Sequence, residues 1–141
     1  MKTVIALSGP PDTGKSSTLT KVYELLRAKH PEAPLSHEIL NHDVRAIIVI
    51  NGHKIGLESQ GDPGGRLTRG SISMFVREEC EIIVCATRTR GQTVEAVENL
   101  KPQFSIKWIQ KLRDADESQR EQINNTLASD ILKQIQTLTH A

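Results

Sequence analysis

Eight consecutive residues, Gly9–Ser16, carry the groups that bind a phosphate chain, in the order G-P-P-D-T-G-K-S. The glycines allow a tight turn in which backbone N–H groups come close to phosphate oxygens. The lysine supplies a mobile positive charge, and the serine hydroxyl can ligate a Mg²⁺ ion that also binds the phosphates. The spacing therefore predicts a loop that binds the phosphates of a nucleotide.

Each position of this loop has an expected role. Lys15 is expected to reach the β- and γ-phosphates, Ser16 to ligate Mg²⁺ and Ser17 to reach the α-phosphate. Asp12 is unusual beside a polyanion, and we expect it to point away from the phosphates or to contact the metal or a substrate cation. The predicted nucleotide-binding set is Gly9, Pro10, Pro11, Asp12, Thr13, Gly14, Lys15, Ser16 and Ser17.

The segments on either side supply the context that such a loop needs. Thr3–Leu7 is a short apolar run of strand formers, and Lys15–Lys29 has helical periodicity. This strand, glycine-rich turn and helix resemble the P-loop NTPase superfamily. The resemblance, to its small kinase and GTPase branch, implies a site for ATP or GTP with Mg²⁺. The N-K-x-D motif that reads guanine is absent, so ATP is expected rather than GTP.

The remaining periodicities predict one α/β domain over residues 1–141. Asn51-Gly52 between two apolar runs is a strong β-hairpin signal. Alternating strands and helices predict a three-layer αβα sandwich of the P-loop NTPase type, with a mainly parallel sheet and one antiparallel hairpin. Strands are predicted at about 2–7, 44–50, 53–58, 82–86 and 105–109, helices at about 15–29, 66–79, 94–100 and 117–138, and a loop at about 32–36.

An acidic residue is needed near the metal, at the end of a neighbouring strand. Glu58 ends a predicted strand and is the preferred metal ligand, and Asp62 is the alternative. The segment Glu58-Ser59-Gln60-Gly61 also resembles the acid-x-x-Gly switch of GTPases. That resemblance implies that Gln60 orients a water molecule or an acceptor hydroxyl.

Arginines near the predicted site offer further positive charge. Arg88 and Arg90 follow a buried strand, where they could clamp phosphates or stabilise transition-state charge. The glycines at 61–65, with Arg66 and Arg69, resemble the acceptor-holding set of small-molecule and nucleotide kinases. The predicted catalytic set is Lys15, Glu58, Asp62 and Arg88.

Bulk composition argues against several classes of partner. The chain has 18 basic and 17 acidic residues, so its formal charge of +1 favours no nucleic acid. No apolar stretch approaches the roughly 20 residues that span a bilayer, so no membrane partner is expected. Cys80 and Cys85 suit a reduced, cytoplasmic protein. The last helix has an apolar stripe that packs on the sheet or, alternatively, forms a homo-oligomer interface: Ile123, Leu127, Ile131, Ile135 and Leu138.

The glycine-rich loop and the residues predicted around it are compatible with three functions. The leading one is a Mg²⁺-dependent ATP-binding protein that transfers phosphate, as a kinase does, to a small molecule or nucleotide. The second is a regulatory switch that hydrolyses ATP or GTP slowly. The third is a nucleotide binder without catalysis. All three depend on the same glycine-rich loop, and the sequence does not identify an acceptor.

Overall fold

The computed structural model describes residues 2–111 and 117–140, without the side chain of Glu117. Six strands form one sheet in the order β2-β3-β4-β5-β1-β6. The strands are β1 (Lys2–Ser8), β2 (Leu35–Leu40), β3 (Val44–Ile50), β4 (His53–Glu58), β5 (Ile82–Thr87) and β6 (Phe104–Gln110). The helices are α1 (Lys15–Lys29), α2 (Ile72–Arg77), α3 (Gln92–Glu98) and α4 (Arg120–Leu138).

The sheet is parallel from β4 through β5 and β1 to β6. The predicted hairpin is confirmed: β3 and β4 pair antiparallel around Asn51 and Gly52, whose φ values are 51° and 81°. Positive φ at both central residues is the geometry that the Asn-Gly pair supplies most readily. The fold is therefore α/β, with a mainly parallel sheet that ends in an antiparallel region.

Strand β2 was not predicted. It pairs antiparallel with β3 along the edge of the sheet, and the sequence analysis assigned a loop to its first residues. Its central residues Ser36, His37 and Glu38 are polar and exposed. An edge strand of this kind buries little apolar surface, so it lacks the pattern from which strands are recognised.

Helices cover both faces of the sheet, which gives three layers. On one face, α1 and α4 pack together and on the strands through residues such as Leu19, Leu26 and Ile131. On the other face, the α2 and α3 region contributes Phe75 and Val97. Within the described ranges, no helix is both long and apolar enough to cross a membrane.

Two helical predictions need correction. The single helix expected at about 66–79 is a π-helical turn, Leu67–Ser71, followed by the short α2. The buried stripe of α4 differs from the prediction at its amino end, because Ile123 is 38% exposed whereas Asn124 is buried; Ile131 and Ile135 are buried as predicted. A polar side chain thus lies on the inner face of this helix.

The topology brings four loops to one edge of the sheet. The carboxyl ends of the parallel strands β1, β4 and β5 meet there. Because β3 runs antiparallel to β4, its amino end lies beside the carboxyl end of β4, with Arg45 opposite Glu58. The turn before β3 therefore joins the loops after β1, β4 and β5.

Candidate functional site

The glycine loop, Gly9–Ser16, joins β1 to α1 and places Lys15 at the start of the helix. Lys15 is only 7% exposed. Its ammonium donates hydrogen bonds to the carbonyl oxygens of Gly9, at 2.5 Å, and of Thr87, at 2.8 Å. The side chain thus curls back over its own loop and connects it to the end of β5.

The surroundings of Lys15 lower its pKa to about 8. Burial is the main cause, because it penalises the charged ammonium, and the nearby Arg88 guanidinium acts in the same direction. The Asp62 carboxylate partly offsets both effects. Burial and Arg88 therefore make the charge of Lys15 unfavourable, and an anion placed beside it would stabilise that charge.

The two glycines of the motif are required by close packing. Gly14 has φ of 90°, and a Cβ added there would lie 2.7 Å from Asn124 Nδ2 of α4. A Cβ on Gly9 would lie 2.4 Å from the carbonyl oxygen of Lys111. A Cβ at Gly9 would meet backbone, and one at Gly14 would need a strained left-handed backbone and a shift of the Asn124 amide, so α4 and the end of β6 pack closely on the loop.

The acidic residue beside Ser16 is Asp43, from the turn before β3. Ser16 Oγ donates a hydrogen bond to Asp43 Oδ1 at 2.5 Å, and Ser59 Oγ donates to the same oxygen at 2.9 Å. Ser59 is in turn fixed by the backbone N–H of Val44, which donates to its hydroxyl at 2.8 Å. Asp43 was not predicted as a site residue because it precedes a strand, and only the antiparallel course of β3 brings it to the site.

Glu58, the preferred metal ligand of the sequence analysis, is engaged elsewhere. Its fully buried carboxylate accepts two hydrogen bonds from Arg66, at 3.0 and 2.9 Å. It also accepts hydrogen bonds from Ser71 Oγ at 2.8 Å and from the backbone N–H of Gln60 at 3.1 Å. Glu58 therefore organises the loop after β4, and Asp43 takes the place that was predicted for it beside Ser16.

Asp62, the alternative ligand, pairs with an arginine. Arg88 Nη2 donates to Asp62 Oδ1 at 3.1 Å, which links the loop after β4 to the loop after β5. The structure thus brings together Lys15, Asp62 and Arg88, as predicted for residues of one site. Gln60 borders the same site, and its side-chain oxygen accepts a hydrogen bond from the backbone of Arg66 at 2.7 Å.

Arg69 and Arg90, the other two arginines predicted to lie near the site, are apart from this cluster. Arg69 borders a separate shallow cleft with Thr68 and Glu95 of α3. Arg90 is exposed in the loop after β5.

A cleft of about 420 Å³ opens at the meeting point of these loops. This volume is within the range of small-molecule sites. Within the described residues, its wall includes Asp62 and does not include Glu58 or Arg88. The wall is formed by Pro11, Asp12, Thr13, Gly14, Lys15, Ser16, Ser17, His42, Asp43, Ser59, Gln60, Gly61, Asp62 and Arg120.

A second cleft, of about 490 Å³, lies between α1 and α4 and shares Ser17 and Arg120 with the first. It also borders Asn124, which is 7% exposed. Asn124 Oδ1 has no hydrogen-bond partner within the part of the chain that the structure describes. Asn124 was not predicted as a site residue, because a lone asparagine on a helix is ordinarily a surface residue.

Comparisons with known proteins add little to this geometry. No protein-family profile and no curated protein matches the chain. The crystal structure of APE1195 aligns with 98% of this chain and 75% of its own, at 15% identity and a TM-score of 0.41. An alignment of this quality supports no conclusion about fold family or function.

Proposed function

We propose that the chain is a P-loop protein that binds ATP with Mg²⁺ and transfers its terminal phosphoryl group to a small molecule or nucleotide. The observation that carries the proposal is the pair of neighbours at the start of α1. Lys15 lies buried over the glycine loop, and Ser16 contacts the Asp43 carboxylate. The Lys15 ammonium and the Ser16 and Asp43 oxygens, which could bind a metal ion, belong to residues of one cleft wall. Such a combination suits a nucleoside triphosphate with Mg²⁺.

Phosphate binding would come from the glycine loop. The N–H groups at the start of a helix have no partner within the helix, and the helix dipole favours an anion there. Lys15 now donates to two carbonyl oxygens, and a phosphate could replace either of them. Its ammonium would stay in contact with the β- and γ-phosphates while negative charge shifts from one to the other during transfer.

The oxygen atoms beside this loop suit Mg²⁺. Ser16 Oγ and Asp43 Oδ1 are hard oxygen donors, and Mg²⁺ is held by one or two such protein groups together with phosphates and water. Zinc prefers histidine and cysteine ligands. Within the described ranges, no group of three or more His, Cys, Asp and Glu side chains converges as a metal site. When bound, the metal ion would neutralise charge on the phosphates.

Phosphoryl transfer needs positioning and charge neutralisation more than covalent chemistry. The acceptor hydroxyl would attack the γ-phosphorus and lose its proton to water, while the bond from the γ-phosphorus to the bridging oxygen breaks and ADP leaves. The acceptor would enter beside the loop after β4, where Gln60 and Asp62 border the cleft.

The buried, unpaired thiols of Cys80 and Cys85 accord with a reduced cytoplasmic setting.

Calorimetry of ATP binding, with and without Mg²⁺, tests the proposal. We expect Mg²⁺-dependent binding by the parent chain and a loss of about 10- to 100-fold in affinity for Lys15→Ala, which removes a charged hydrogen-bond donor. If ATP binds, release of ADP on addition of pooled metabolites and nucleotides, followed by ³¹P NMR, would identify an acceptor. Failure of the parent chain to bind either ATP or GTP would contradict the proposal.

A pair of variants tests the assignment of the acidic residue. Asp43→Asn is expected to abolish most of the gain in ATP affinity that Mg²⁺ provides. Glu58→Gln is expected to keep that gain, because the Glu58 carboxylate is bound to Arg66 and Ser71. Circular dichroism confirms that each variant is folded. The reverse result would restore Glu58 as the metal ligand.

A further inference from the structure

The ion pair between Asp62 and Arg88 joins two loops across the edge of the candidate site. Asp62 lies in the loop after β4 and borders the cleft, whereas Arg88 follows β5. The Asp62 side chain is 63% exposed and the Arg88 side chain 30% exposed. An exposed pair of this kind contributes little to stability, so it can open at little cost.

Arg88 is incompletely satisfied in this pair. A guanidinium has five N–H donors, and carboxylate or phosphate partners commonly take two of them at once. Asp62 Oδ1 accepts from Nη2, whereas Arg88 Nε is buried and has no partner within the described part of the chain. This N–H would gain a partner if the Arg88 side chain turned toward a second anionic oxygen.

The backbone of Arg88 is fixed, so any exchange involves the side chain alone. Its carbonyl oxygen accepts hydrogen bonds from Ser8 Oγ, at 2.9 Å, and from Thr87 Oγ1, at 2.7 Å. Its N–H donates to Thr93 Oγ1 at 2.9 Å. The preceding residue, Thr87, holds the ammonium of Lys15 through its carbonyl oxygen. Arg88 is thus anchored beside the cation that is expected to bind the terminal phosphates.

The Asp62 loop, residues 59–66, is fixed at its base and weakly held at its tip. At the base, the ion pair between Arg66 and the buried Glu58, together with the Gln60 side chain, holds the loop. At the tip, exposed contacts connect it to the loop after β5 through the ion pair, and to the start of α3 through a hydrogen bond of 3.1 Å from Gly64 N–H to Gln92 Oε1. The tip can therefore move without disturbing the base.

We propose that Asp62 is an internal competitor for Arg88, which the terminal phosphate of a nucleoside triphosphate displaces. The inference depends on the proposed function, because it assumes that such a ligand occupies the glycine loop. A terminal phosphate carries more negative charge than a carboxylate and offers oxygens in the bidentate arrangement that arginine binds best. A diphosphate lacks the group that would reach Arg88. Arg88 would thus make the site prefer ATP to ADP, and competition from Asp62 would reduce that preference.

Dissociation constants for ATP and ADP, measured with Mg²⁺ on matched variants, test this inference. Arg88→Gln is expected to weaken ATP binding about tenfold and to change ADP binding less than about twofold. Asp62→Asn is expected to tighten ATP binding by about threefold or more, with a smaller effect on ADP. In the Arg88→Gln background, Asp62→Asn should give no gain that is specific to ATP.

Asp12→Asn is the control for simple charge removal. Asp12 is an exposed acid of the glycine loop, and it borders the same cleft. Its substitution is expected to change ATP and ADP binding by similar factors. An equal effect of Asp62→Asn on both nucleotides, or an ATP-specific gain that persists without Arg88, would overturn the inference. Weaker ATP binding by Asp62→Asn would also overturn it, because Asp62 would then assist the ligand.

The outcome separates this inference from the proposed function. If both nucleotides bind in a Lys15-dependent way but Arg88→Gln leaves the ATP preference unchanged, only the inference about Arg88 is overturned, and the proposed function stands. Loss of all nucleotide binding by the parent chain overturns both.

Discussion

Single residues in the candidate site are adjusted by burial and by the charges around them, and Lys15 shows this most clearly. The residue is largely buried, which penalises its charged ammonium, and Arg88 adds repulsion. Both effects lower its pKa to about 8, far below the usual value of a lysine. A phosphate bound beside it would raise that pKa again, because an opposite charge favours the ammonium.

The pH dependence of ATP binding follows from this pKa. Above about pH 8, free Lys15 is increasingly neutral and must take up a proton on binding, so affinity should fall by up to about tenfold per pH unit. Calorimetry in buffers of different ionisation enthalpy measures that proton uptake. Lys15→Arg stays charged over this range and should give a flatter profile. A flat profile for the parent chain would contradict the prediction.

Stability of the ligand-free protein should change in the opposite direction. The pKa of Lys15 is about 8 in the folded chain and 10.5 in the unfolded reference. Between these values the unfolded state binds more protons, so this residue makes the free energy of unfolding rise with pH.

Elements distant in sequence determine the shape of the glycine loop. Helix α4 places Asn124 against Gly14, and Lys111 after β6 packs against Gly9. The loop motif alone gives no information about these contacts. A substitution in α4 could therefore alter the loop without touching the motif.

Two alanine substitutions at glycines of positive φ test this packing. Gly52→Ala, in the open hairpin turn, should lower the free energy of unfolding by about 1 kcal/mol, the cost of a left-handed backbone. Gly14→Ala meets the same strain and also the Asn124 amide, so it should cost at least about 1 kcal/mol more and abolish ATP binding. Urea unfolding curves measure both. Equal losses of unfolding free energy in the two variants would show that the Asn124 side chain does not restrict a Cβ at position 14.

At the scale of the whole molecule, the sheet order arranges the candidate site. Strand β5 lies between β1 and β4, so the Arg88 loop falls between the glycine loop and the Asp62 loop. This order makes the proximity of Lys15 to the Arg88–Asp62 pair a consequence of topology. The inner face of α4 packs on α1 and the sheet within the same chain, which is the first of the two roles predicted for its stripe.

Substitutions on α4 distinguish internal packing from self-association. Ile131→Ala, at a fully buried position, should lower the free energy of unfolding by about 2–4 kcal/mol. Ile123→Ala, at a partly exposed position, should cost less than about 1 kcal/mol. Urea denaturation gives both values, and sedimentation velocity gives the association state. A change of association state in either variant would indicate that α4 also forms an interface between copies.

The sequence was sufficient wherever a short segment carries its own signal. Helix α1 and the β3–β4 hairpin have the predicted bounds, because apolar periodicity and the Asn-Gly turn act over a few residues. The expected inner face of α1, which includes Leu19 and Leu26, is buried. Strand β2 was missed because a polar edge strand depends on pairing with β3 rather than on its own burial.

The sequence by itself determined the glycine loop, its flanking strand and helix, and the alternation of elements that gives an α/β sheet. Only the tertiary structure decided which acid lies beside Ser16. Glu58 and Asp43 are both carboxylates near strand ends, and the choice between them depends on strand direction and on the bonds of Glu58 to Arg66 and Ser71. Local patterns determine elements because their forces act between neighbours in sequence. A site is assembled from loops far apart in the chain, so it depends on strand order and packing.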